Sequence, residues 1–73
     1  MTRTEKIGQI ITKMEKLNDL WWDAEENHNQ AALEEHNNLE QEIRAEMTEI
    51  DINFDRVGST YEDMIDSLRR LTD

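Results

Sequence analysis

Residues 7–24 read IGQIITKMEKLNDLWWDA, and the spacing of their apolar members decides the fold. Ile7, Ile10, Met14, Leu17, Trp21 and Ala24 follow one another at intervals of three and four. That is the a/d rhythm of a heptad, a helix with one apolar side. Ile11 and Leu20 widen the stripe toward what a helical bundle needs. Thr2 or Thr4 can cap the first turn. Gly8 weakens it by roughly 1 kcal/mol relative to alanine. The spacing predicts a helix over about 4–26, with Trp21 in register and filling the core. Trp22 is turned about 100° away from Trp21. It falls outside the stripe beside Asn18 and Asp19, and is a candidate for contact with a partner.

Downstream, Asn27-His28-Asn29 is a polar, turn-prone break, with Asn29 placed to cap a second helix. One unbroken helix through this point is the alternative. Ala32, His36, Leu39, Ile43, Met47 and Ile50 form a narrower stripe, which predicts that second helix over about 30–52. A connection this short makes the two helices antiparallel neighbours. Residues 51–58 mix Asx, β-branched and glycine residues and read as a loop. Ser59-Thr60-Tyr61-Glu62 has the form of a capping box. A third helix over about 60–71 should place Tyr61, Met64, Ile65, Leu68 and Leu71 on one face. Arg69 and Arg70 would sit at its C-terminal end, where the helix dipole favours cations. The expected fold is all-α and a single domain over 1–73: an antiparallel helical hairpin with a shorter third helix and coiled-coil-like packing. The third helix covers only part of the hairpin, so apolar surface is left over. A homo-oligomer, with a dimer as the first expectation, would use it.

The chain has 18 acidic and 8 basic residues, a formal net charge of −10, and no cysteine. Residues 1–30 carry six acids and four bases, and residues 31–73 carry twelve and four, so the excess lies in the second half. This balance argues against direct binding to nucleic acid, whose phosphates need Lys and Arg, and against anionic membranes. It favours a protein partner with a basic surface. No apolar run approaches a membrane span. The first residues are too short and too polar for a signal peptide, so the cytoplasm is the expected compartment.

On the second helix, Glu35, Glu42, Glu46 and Glu49 share a face that Glu34 flanks. A solvated ridge would serve solubility alone. Carboxylates at this spacing also imitate a row of phosphates, and such a face would fit the groove of a nucleic-acid-binding protein and block it. Glu40 and Arg44 have the spacing of an ordinary i,i+4 ion pair.

Asp51, Asn53, Asp55, Ser59 and Glu62 fall at oxygen-ligand places of a twelve-residue loop, and over that stretch the sequence resembles a calcium-binding EF-hand loop. It departs from the pattern at Arg56, which stands where the loop needs glycine, and at Gly58, which stands where it needs an apolar residue. Weak cation binding through Asp51, Asn53, Asp55 and Glu62 is therefore a minor reading beside an interhelix loop. His28 and His36 lie eight residues apart with no cysteine, so a zinc site would need ligands from several chains. His36 reads as a border residue with a local hydrogen bond.

No phosphate-binding glycine loop, nucleophile elbow or catalytic cysteine is present. Nothing points to an enzyme or a cofactor. The function expected from sequence is a small acidic interaction module that binds and inhibits or regulates a basic protein partner, a nucleic-acid-binding protein among the candidates. Its contact residues would be Trp22, Glu35, Glu42, Glu46 and Glu49. A self-associating structural bundle is the alternative.

Overall fold

The computed structural model describes residues 2–72. Four helices occur in order: α1 (Arg3–Glu26), α2 (Gln30–Glu49), the single turn α3 (Phe54–Val57) and α4 (Tyr61–Thr72). No strand occurs among the described residues. Each boundary has a local cause. The Thr2 side chain accepts from the Glu5 amide and starts α1. The break at 27–29 forms as expected: Asn29 Oδ1 accepts from the Ala31 and Ala32 amides, and its Nδ2 donates to Asp23. His28, at φ 51°, takes the left-handed conformation that turns the chain.

α2 ends at Glu49, three residues before the limit the apolar pattern predicts, because a stop signal intervenes. Asp51 adopts φ 60°. Its amide donates to the Thr48 carbonyl at 3.1 Å, and the Ile52 amide donates to the Met47 carbonyl at 2.9 Å. These two bonds define a Schellman closure, which normally uses glycine at the left-handed position. Aspartate there combines an unfavourable φ with a negative charge at the negative end of the helix dipole. Asp51→Gly is therefore expected to raise stability by about 0.5–1 kcal/mol, read as a higher urea midpoint at unchanged slope.

The predicted loop at 51–58 contains α3, started by Asn53, whose side chain accepts from the Asp55 amide at 3.0 Å. It brings Phe54 into the core. The cap of α4 sits one residue later than the sequence suggests. Thr60, not Ser59, accepts from the amide three positions on, that of Asp63, at 3.2 Å.

α1 is the central element and packs against both α2 and α4. Lys13 reaches Glu42 and Glu46, and Lys6 reaches Glu49, which fixes α2 antiparallel to α1. Arg69 pairs with Glu15 while Glu62 lies in one cleft with Trp22, so α4 is also antiparallel to α1 and parallel to α2. The Cα atoms of α2 and α4 stay more than 8 Å apart. Side chains close the gap between them, and the His36 Nε2 to Tyr61 hydroxyl contact at 2.8 Å is the polar part of that closure.

The core consists of Ile7, Ile10, Met14 and Leu17 from α1, Ile43 and Met47 from α2, Phe54, and Met64, Ile65 and Leu68 from α4. The first four stripe residues of α1 are thus covered within one chain. Trp21, the fifth, is not in the core: it is 38% exposed. The reason is length. α1 runs about 36 Å and α4 only about 18 Å at 1.5 Å per residue. α4 begins level with Trp22, so no third helix among the described residues covers the hairpin beyond that point. Leu33 on α2 and Leu71 on the last turn of α4 are likewise exposed.

A candidate cation-accepting cleft at the open end of the bundle

The unequal helix lengths leave a cleft between the C-terminal half of α1 and the first turn of α4. Asn18, Trp21 and Trp22 form one wall, and Ser59, Thr60, Tyr61, Glu62 and Met64 form the other, around about 480 Å³. Trp21 and Trp22 meet edge to face, with ring centroids 5.0 Å apart and planes at 83°. This is a favoured aromatic geometry, and it presents two indole planes at a right angle. Trp22 is the most exposed of the three aromatic residues in the cleft, at 49%. Tyr61 is fixed from behind by His36, whose Nδ1 in turn faces Asn37 Oδ1 at 3.2 Å. One arrangement satisfies both contacts: Tyr61 donates to Nε2 and Nδ1–H donates to Asn37. His36, buried on the α2 stripe, is thus a positioning residue for a cleft wall.

Glu62 is the charged member of the lining, and no lysine or arginine belongs to it. α4 opens with Glu62 and Asp63 in its first turn. A helix N-terminus carries about half a positive charge, so two carboxylates outweigh it. The cleft is electronegative as well as aromatic.

The acidic ridge of α2 has a different fate. Lys13 Nζ lies 2.9 Å from Glu42 and 2.6 Å from Glu46, and Lys6 Nζ lies 3.4 Å from Glu49. Glu46 is half-buried, and its second oxygen is shielded without a hydrogen-bond partner among the described residues. The lysines stand seven residues apart on α1, and their partners Glu49 and Glu42 stand seven apart on α2 in reverse order. The next place in that series on α1 is Leu20, which shares a surface hollow with Glu35, and Lys16 borders the same hollow without pairing with Glu35. Glu35 accordingly has no ion pair among the described residues. Of the four ridge glutamates, three serve the hairpin and Glu35 remains open.

The acidic and Asx residues of 51–62 disperse. Asp55 is held by Arg44 at 3.2 Å, and Asn53 caps α3. Glu62 lines the aromatic cleft and Asp51 stops α2. Among the described residues, no three His, Cys, Asp or Glu side chains gather as a metal site requires. Arg44 does not pair with Glu40. It lies 4.3 Å over the Phe54 ring while reaching Asp55, joining a cation–π contact to an ion pair. Compared with protein families, curated proteins and solved structures, the chain shows no match. The chemistry of the cleft therefore rests on its own geometry. Its α1 wall is signalled by Trp22 lying out of register. Its α4 wall has no local signal, because the meeting of residues 18–22 with residues 59–64 is a tertiary event.

Two groups tie this geometry to pH. The hydrogen bonds that Lys13 donates to Glu46, and then to Glu42, hold its ammonium above its ordinary value of 10.5. Burial first, and then the charge of Glu40, pushes the Tyr61 phenol above its ordinary 10.0, against a smaller opposing effect of Arg44. Both groups bind their proton more tightly in the folded chain than in the unfolded one. Their contribution is complete below the unfolded values and is lost as pH rises through the folded ones. The melting temperature should hold from about pH 8 to about pH 10 and fall above that, and Tyr61→Phe should reduce the fall. An equal fall in Tyr61→Phe would show that Tyr61 contributes nothing to it.

Proposed function

We propose that this protein is a binding module for a protein partner with a basic surface, and that the contact is made at the open end of the bundle. The observation that carries this reading is the aromatic cleft of Trp21, Trp22, Tyr61 and Met64, with Glu62 as its charged member and no base in its lining. Exposed Trp and Tyr are the residue types that interaction hot spots favour, and Glu62 adds the charge that selects a basic partner. A net charge of −10 would steer a basic partner toward them. Of the contact residues expected from sequence, Trp22 and Glu35 stand open. Glu42, Glu46 and Glu49 act first as lysine partners within the hairpin. The mode of action is occupancy: the module covers a basic surface that the partner uses elsewhere, and so inhibits or regulates it without catalysis.

Self-association through the heptad stripe is less well supported, since Ile7, Ile10, Met14 and Leu17 are already buried against α2 and α4. Affinity capture from native extract, at about 50 mM and about 500 mM salt, separates the readings. The proposal expects basic proteins retained at low salt, released at high salt, and lost with Trp22→Ala. Capture that ignores both salt and Trp22→Ala would overturn it.

A further inference from the structure

We infer that the cleft is a receptor for one arginine side chain presented by a partner polypeptide. This rests on the binding-module reading and specifies its anchor. Three aromatic rings line one concavity, and two of them stand at 83° to each other. A guanidinium is planar, weakly hydrated, and stacks on indole and phenol faces. Glu62 supplies the carboxylate that a guanidinium can grip with two parallel hydrogen bonds. The cleft opens to solvent, so a long side chain can enter it from a partner and lay its flat head on an exposed ring face. The Trp21–Trp22 corner and Met64 offer apolar surface to the arginine's methylene stem.

The other occupants fit less well. An anion would meet Glu62 and Asp63 on the first turn of α4. A neutral apolar side chain would leave the carboxylate unused. A second copy of the chain would bring another net charge of −10 to an acidic surface.

The test is a titration of the whole 73-residue chain, observed through its two indole N–H resonances and tryptophan fluorescence. The probes are the tripeptide acetyl-Gly-Arg-Gly-amide and its citrulline and lysine counterparts. Citrulline keeps the shape of arginine and removes the charge. The arginine peptide should move both indole resonances with saturation, and the citrulline peptide should bind about tenfold more weakly. Lysine should fall between them. Glu62→Gln should weaken the arginine peptide by about the same factor, and Trp22→Ala should abolish the response. Equal affinity for arginine and citrulline would overturn the assignment, as would equal affinity for lysine. Indole shifts that depend on protein concentration without peptide would overturn it in favour of self-association. The two readings fail separately. Partner capture that depends on Trp22, with no response to the arginine peptide, removes the arginine anchor and keeps the module. Saturable, charge-dependent peptide binding without any captured partner keeps the receptor and removes the module.

Discussion

Leu68→Ala is expected to cost about 2–5 kcal/mol, a large fraction of the stability of a chain this short. Leu68 is fully buried on α4, among residues of α1 and α2. Removing it leaves a cavity where the third layer of the bundle meets the hairpin. A chain of 73 residues has a total stability of only about 4–11 kcal/mol. Leu71, one turn on and 54% exposed, provides the contrast. Leu71→Ala should change stability by less than about 0.5 kcal/mol. Urea unfolding followed by tryptophan fluorescence reads both variants. Equal, small effects would mean that α4 does not close the core.

Gly58→Ala should be damaging although the position is a half-buried loop residue, with an expected cost of about 1–3 kcal/mol. A Cβ there would lie 2.8 Å from the Asp63 Cβ, 2.8 Å from the Met64 amide nitrogen and 2.9 Å from the Asp63 carbonyl carbon. The backbone of Gly58 is extended, a conformation open to any residue. The requirement for glycine is thus one of space: residue 58 lies directly against the first turn of α4. Relief would require α4 to shift, and Tyr61 and Glu62 would leave the cleft with it. Gly8 is the opposite case. It sits within α1, and a Cβ added there would meet nothing within 4 Å. Gly8→Ala should stabilise by about 0.5–1 kcal/mol. Thermal melts of the two variants should therefore move in opposite directions.

How much of the fold is legible in the sequence depends on how local each cause is. The α1 stripe from Ile7 to Leu17, the break at 27–29 and the α4 face from Met64 to Leu68 each depend on spacing within one segment, and each forms as expected, while Leu71 at the end of that face stays exposed. Trp21 departs from its stripe because its burial depends on where another helix begins. Periodicity assigns a residue to a face and leaves open what covers that face. The end of α2 depends on a closure in which aspartate replaces the usual glycine, so the customary signal is missing. The lysine–glutamate pairing is legible in principle. Once α1 and α2 are taken as antiparallel, Lys6 and Lys13 fall opposite Glu49 and Glu42. The resemblance of residues 51–62 to a calcium loop arises from Asx residues that cap a short helix, stop a longer one and hold Arg44. The cleft itself needs the third dimension.

The proposed contact with a partner runs through the open end of the bundle and not along the α2 ridge. Chemical-shift mapping of the isotopically labelled protein during titration with the captured basic partner tests it directly. Both indole N–H resonances and the amides of residues 59–64 should shift or broaden, with the amides of residues 42–49 unmoved. Perturbation confined to residues 42–49, with the indole resonances unchanged, would contradict it.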